Sequence, residues 1–151
     1  MILVKPMQVR HLDAVHAIER VCFATPWSRE SLLRELTTNE HAHYLAAFLH
    51  RPFAEPLLVG YAGMWRIGDE GHITNLAVLE AHRKRGIASK ILHSLAELAE
   101  HLGITALTLE VRVGNTAAQS LYAKHGFETH GRRKGYYADT GEDAFIMWKT
   151  V

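Results

Sequence analysis

Cysteine is almost absent from this chain, and so is any excess of charge of one sign. The single Cys22 leaves no partner for an internal disulfide and no set of thiolates for a zinc cluster, a usage typical of a reducing compartment. Lysine and arginine exceed aspartate and glutamate by only one, 17 against 16. The overall charge therefore does not favour nucleic acid or an anionic membrane, and we expect neither as a partner.

Long apolar runs are missing as well. No stretch approaches the roughly 18 apolar residues of a membrane-spanning helix, and the N-terminus lacks the basic, apolar and small-residue order of a signal peptide. We therefore expect a cytoplasmic protein. With 48% hydrophobic residues in 151 positions, the composition predicts one globular domain over residues 1–151.

The sequence up to residue 78 predicts two helices and four strands. A short β-prone segment, 2–9, precedes apolar residues at helical spacing, and Ser28 is placed to cap a second helix. Apolar segments then predict an antiparallel meander. These segments are 44–49, 57–65 and 72–78.

The second half begins with a long amphipathic helix that starts at Ile87 and that Gly103 can end in a left-handed cap. The next segment, 104–111, predicts a strand parallel to the one before the helix. Asn115 then looks like the cap of a further helix, ended by Gly126. Two last strands, 127–132 and 143–148, flank a polar hairpin that contains Gly135 and Gly141. The predicted class is α/β (α+β) with a mixed sheet.

The basic turn Arg83-Lys84-Arg85-Gly86 lies between a predicted strand and the long helix. Free backbone N–H groups and the positive end of a helix dipole favour a pyrophosphate at such a turn. GxxxxGK[ST] and GxGxxG are both absent, so nucleotide hydrolysis and hydride transfer lose their main support. A solvated turn that merely starts a helix fits the local sequence equally well.

The same turn resembles the acetyl-CoA signature of the GNAT acetyltransferases, which is Gln or Arg, two residues, Gly, one residue, then Gly or Ala. Arg83, Gly86 and Ala88 match it position for position, and the preceding strand segment 75–78 also resembles the family. The resemblance covers nearly the whole chain. It narrows to the RimI-like group, which acetylates the N-terminal alanine of a small-subunit ribosomal protein. Four segments carry it: 26–28, 109–115, 121–127 and 133–144.

The resemblance implies a GNAT fold, a mixed sheet of about seven strands with about four helices, and acetyl-CoA as co-substrate. It also implies a ribosomal-protein N-terminus as acceptor. The implied acetyl-CoA contacts are Leu76, Ala77, Val78, Arg83, Lys84, Arg85, Gly86, Ile87, Ala88, Ser89 and Asn115. Tentative acceptor contacts are Trp27, Tyr136 and Tyr137.

For catalysis, the resemblance makes Glu110 the proton acceptor and Tyr122 the proton donor to the leaving thiolate. Without the resemblance, the sequence predicts only structural roles for these residues. Glu110 would be an exposed carboxylate on a strand, Tyr122 a packed helix residue, and Asn115 a helix cap without cofactor contact.

The acceptor chemistry favours an α-amine. An α-amine with pKa near 8 is about 10% free base at pH 7, whereas a lysine near 10.4 is about 0.04%. An ordinary Glu lies about 3.5 pH units below the α-amine, an uphill transfer of roughly 4.8 kcal/mol. We therefore expect the pKa of Glu110 to be raised by partial burial, or a water to carry the proton.

The residues also allow other kinds of chemistry. Cys22 could serve as an acyl nucleophile, but it continues the apolar stripe of a helix, which favours direct transfer in a ternary complex. The eleven histidines form no known ligand motif, so no metal site is expected. A small amine such as a polyamine or aminoglycoside remains an alternative acceptor, and a silent acyl-CoA-binding module an alternative function.

Overall fold

The computed structural model describes all 151 residues and contains one seven-stranded sheet with helices on both faces. The strands are β1 Ile2–Pro6, β2 Ala42–Leu49, β3 Leu57–Ile67, β4 Glu70–Val78, β5 Ala106–Arg112, β6 Glu128–Tyr137 and β7 Glu142–Thr150. The helices are α1 Leu12–Cys22, α2 Arg29–Thr37, α3 Ile87–His101 and α4 Thr116–Lys124, with short 3-10 turns at Val9–His11 and Glu80–His82.

The strand order is β1-β2-β3-β4-β5-β7-β6, and only the β4–β5 pair is parallel. The predicted meander and the parallel crossover through α3 are therefore confirmed.

Alternating residues of the strands build two apolar cores. On β2, Leu45 and Ala47 face the core under α3, while Tyr44, Ala46 and Phe48 face the core under α1 and α2. This division explains why β2 is buried along most of its length.

The predicted helix caps are confirmed. Ser28 accepts a hydrogen bond from Ser31 N at 3.1 Å and Asn115 accepts one from Ala118 N at 3.1 Å, as N-caps do. Gly103 and Gly126 have φ of +76° and +90°, the left-handed conformation that ends a helix at low cost to glycine.

Two boundaries were wrong. β1 ends at Pro6 rather than at position 9, because the chain turns there into the 3-10 turn Val9–His11. β6 continues to Tyr137, so Gly135 lies inside the strand and not in the hairpin turn. A bulge between Arg133 and Tyr137 accommodates Gly135 at φ +59°, and its N–H donates to Asp143 at 2.8 Å.

Candidate active site

The site lies where two neighbouring parallel strands separate. β4 and β5 pair only through Glu70–His72 against Ala106–Thr108, so the rest of that edge of β4 has no strand partner. A bulge against β3 leaves Thr74 without a register partner, which kinks β4 at this point. The gap opens into a cavity of about 980 Å³.

The cavity brings together seven of the residues predicted from sequence. They are Trp27, Leu76, Glu110, Asn115, Tyr122, Tyr136 and Tyr137. The other predicted cofactor residues, Ala77, Val78 and the turn 83–89, do not line it. They lie farther along β4 and at the start of α3.

Glu110 lies on β5 with its side chain 13% exposed and in contact with two basic groups. One carboxylate oxygen is 2.6 Å from His72 Nε2, and the other is 3.7 Å from Arg133 Nε. The hydrogen bond to His72 is the main reason that the pKa of Glu110 is lowered, and it outweighs the opposing effect of burial. The prediction of a raised pKa was therefore wrong, because sequence alone did not place His72 and Arg133 beside this carboxylate.

Replacing His72 should shift the acid limb of the activity profile. The proton-acceptor role expected for Glu110 requires a carboxylate, and the lowered pKa of Glu110 keeps it ionised to lower pH. In His72→Phe the main lowering contact is lost, so the pKa of Glu110 rises and activity fails at a higher pH as the pH falls. His72→Gln retains an N–H donor and should stay closer to the parent enzyme. An unchanged kcat profile from pH 5 to 8 in His72→Phe would contradict this role.

Tyr122 projects from α4 to the cavity, and its ring packs edge-on against Phe127 at 5.7 Å. Burial, assisted by the nearby Tyr137, raises the pKa of Tyr122 to about 12. No protein group accepts a hydrogen bond from its hydroxyl. The phenol therefore stays protonated at neutral pH and is free to donate.

The basic turn at the start of α3 has the geometry of an anion site. Gly86 caps the helix at φ +78°, and the first intrahelical bond runs from Lys90 N to Gly86 O. The N–H groups of the first three helical residues, 87–89, are left without an intrahelical acceptor. Arg83 donates from Nε to Val78 O at 2.9 Å, which fixes its position, and Lys84 and Arg85 are exposed. These groups suit a pyrophosphate.

Removing the three cations of this turn should weaken donor binding without slowing chemistry. On the expectation that this turn binds the donor's pyrophosphate, replacing Arg83, Lys84 and Arg85 together by Gln should raise KM for the donor about tenfold or more. The kcat should change little, because none of the three lines the cavity with Glu110 and Tyr122. A matched control replaces Arg10, Arg20 and Lys124, which are exposed elsewhere. Equal KM changes in both triple variants would rule out a specific role.

A hairpin turn, residues 138–141 between β6 and β7, contributes Ala138, Asp139 and Thr140 to the lining of the cavity. Arg112 holds it in place, pairing with Asp139 at 2.9 Å and Glu142 at 3.5 Å and covering the Tyr137 ring at 3.9 Å. Sequence reasoning missed this cluster, since ion pairs between residues 27 or more positions apart leave no local pattern.

Glu19 was also missed, although a signal was available. It lies on the buried face of α1 between Ile18 and Cys22, and it lines the cavity while being 1% exposed. A carboxyl group on an otherwise apolar helix face indicates a buried polar network.

A model of the acetyltransferase (GNAT) family matches residues 12–127. The chain belongs to the GNAT family of acetyltransferases. It is 39% identical to a Bacillus subtilis protein provisionally named a ribosomal protein bS18-alanine N-acetyltransferase, over 98% of this chain and 95% of that one. It is also 32% identical to the ribosomal protein bS18-alanine N-acetyltransferase of Haemophilus ducreyi, over 96% of this chain and 97% of that one.

The crystal structure of the Escherichia coli ribosomal-protein-S18-alanine N-acetyltransferase superposes with a TM-score of 0.87 at 27% identity, covering 100% of this chain and 94% of that one. The predicted family, fold and enzyme class are therefore confirmed. Acetyl-CoA is the acetyl donor, and the free N–H groups and cations at the start of α3 fit its pyrophosphate. None of the helices is long and apolar enough to span a membrane.

Proposed function

We propose that this acetyltransferase modifies the N-terminal α-amine of a protein, the alanine of ribosomal protein bS18, in the cytoplasm. Support for the acceptor comes from the B. subtilis, H. ducreyi and E. coli relatives, whose names specify that alanine. The observation that carries the proposal is the cavity itself. It joins a carboxylate, Glu110, and a phenol, Tyr122, at the gap between β4 and β5.

Glu110 is proposed to take the proton of the attacking amine. About 10% of an α-amine with pKa near 8 is free base at pH 7, and this fraction can attack directly. As the new N–C bond forms, the N–H of the attacking nitrogen becomes strongly acidic. The Glu110 carboxylate can therefore accept this proton, directly or through a water, even though the pKa of Glu110 is lowered. Before attack, the same negative charge attracts the protonated amine into the cavity.

Tyr122 is proposed to act at the other end of the reaction. Acetyl-CoA supplies the acetyl group as an activated thioester, and its departing sulfur needs a hydrogen-bond donor. The Tyr122 hydroxyl, protonated and without a protein acceptor, can give that hydrogen bond or its proton. Asn115, which lines the same cavity and caps α4, is proposed to contact the pantetheine arm.

A small polyamine is the second candidate acceptor, because the cavity is lined by more acids than bases. Its acids are Glu19, Glu110, Asp139 and Glu142, against the single Arg112. Most of these acidic side chains already form ion pairs or hydrogen bonds within the protein. Arg112 pairs with the two hairpin acids, and Glu19 is buried under its own hydrogen bonds. Glu110 also contacts His72 and Arg133. Little unpaired negative charge is left for a polycation, which favours an acceptor with one ammonium group, such as an N-terminus.

Thiol release from acetyl-CoA distinguishes the acceptors. The purified enzyme is given a peptide beginning Ala-Arg, the same peptide with a blocked N-terminus, and spermidine. We expect turnover with the free peptide only. Turnover with spermidine alone would support the small-amine alternative, and acetyl-CoA binding without any turnover would support a silent binding module.

A further inference from the structure

Glu19 is a buried carboxyl group with no cation beside it. Three donors from different parts of the chain converge on it: Tyr61 OH, Asn75 Nδ2 at 3.3 Å and the backbone N–H of Trp27 at 2.8 Å. Its charge contributes, after burial, to raising the pKa of Tyr61. Burying a carboxyl group is costly unless such donors satisfy it, and a simple apolar residue would fill this helix position at lower cost.

The contact with Trp27 reaches the acceptor side of the cavity, by which we mean the wall that carries Trp27, a predicted acceptor contact. Residues 23–28 connect α1 to α2, and Phe23, Ala24, Thr25 and Trp27 line the cavity. Between positions 24 and 27, the Trp27 N–H is the only group hydrogen-bonded to the rest of the molecule. The Trp27 side chain also packs against the core under α1 and α2, and its indole ring makes a tilted contact with Trp65 at 6.3 Å.

The other contacts of Glu19 anchor it to the rigid sheet. Tyr61 is fully buried on β3, and Asn75 lies on β4 next to Leu76, where the donor's pantetheine arm is expected. Asn75 in turn accepts a hydrogen bond from Tyr44 OH at 3.3 Å. One carboxyl group therefore connects the donor strand to the segment that lines the acceptor side.

We propose that Glu19 is a positioning residue for the acceptor: by holding the Trp27 N–H, it fixes segment 23–28 as the wall against which the acceptor binds. This inference rests on the proposed function for the identity of the acceptor only. Without the Glu19 contact, the segment loses its only polar anchor between positions 24 and 27. Acceptor binding then has to order a loose segment, which weakens affinity. Donor binding and the chemical step depend on other groups.

The test compares Tyr61→Phe with the double variant Glu19→Met/Tyr61→Phe. Tyr61→Phe removes one partner of Glu19 on β3 and leaves the Trp27 contact in place, so it controls for lost stability in the same network. Met matches Glu in length but accepts no strong hydrogen bond. Glu19→Gln, which keeps one acceptor oxygen, is measured alongside in case the double variant does not fold.

Two readouts are taken: hydrogen exchange of the Trp27 amide, and KM for acceptor and for acetyl-CoA. In the double variant we expect Trp27 exchange and acceptor KM each to rise about tenfold or more over Tyr61→Phe, with acetyl-CoA KM and kcat nearly unchanged. Glu19→Gln should move both in the same direction by less. Unchanged Trp27 exchange in the folded variants, or faster exchange with unchanged acceptor KM, would overturn the inference.

The exchange measurement needs no acceptor. If the parent enzyme does not acetylate the peptide, the proposed function fails while Trp27 exchange still reports whether Glu19 holds the segment. The two ideas can therefore fail separately.

Discussion

Glu110→Gln is expected to lower kcat with the N-terminal peptide about 100-fold or more, the usual size of a general-base contribution. Gln keeps the shape and can retain a contact with His72, but it cannot accept the amine proton. The loss should be largest at low pH, where hydroxide is too scarce to replace the carboxylate as the base. Steady-state rates from pH 6 to 9 measure this.

The acetyl-CoA KM of Glu110→Gln should stay close to that of the parent, because Glu110 lines the cavity and the basic turn expected to bind the donor does not. Glu97→Gln, on the exposed face of α3, serves as the charge-matched control and should retain full activity. Equal rates for Glu110→Gln and the parent across the pH range would remove Glu110 from the mechanism.

Tyr122→Phe is expected to lower kcat by a similar factor of about 100, since it deletes the donor to the leaving sulfur. The fold should tolerate the change. The hydroxyl makes no hydrogen bond to the protein, and the Phe ring can keep the edge-on contact with Phe127. Thermal unfolding should therefore change little while turnover collapses.

The leaving group offers a sharper check on Tyr122. With an acetyl thioester of a more acidic thiol as donor, the thiolate leaves without protonation. The loss of kcat in Tyr122→Phe should therefore be smaller with that donor than with acetyl-CoA. Tyr44→Phe, a buried tyrosine outside the cavity, should show no such dependence. If the loss of kcat in Tyr122→Phe is the same with acetyl-CoA and with the more acidic thioester, Tyr122 has a packing role only.

The helices and strands of this fold could be predicted because their signals are local. Ser28 and Asn115 cap helices with their own side chains, and Gly103 ends α3 with its own backbone. The extension of β6 past Gly135 could not be predicted in the same way. The extension depends on a hydrogen bond from the Gly135 N–H to the side chain of Asp143 on the neighbouring strand. Glycine usually indicates a turn, and that interpretation was wrong for Gly135.

The two catalytic candidates were found through family resemblance, and the cavity brings them together. The electrostatics of Glu110 were predicted with the wrong sign, because burial was considered without His72, 38 positions earlier in the chain. His72 reaches Glu110 because it sits at the last parallel pair between β4 and β5. Glu19 required no tertiary information to be suspected, yet its three donors come from three separate elements.

The most direct test of the account locates the acetyl group itself. A peptide beginning Ala-Arg and carrying one internal lysine is incubated with the enzyme and acetyl-CoA, and fragment masses are recorded. A single acetyl group on the N-terminal alanine, with the lysine unmodified, is the predicted result. Acetylation of the lysine in preference to the α-amine would contradict the central claim.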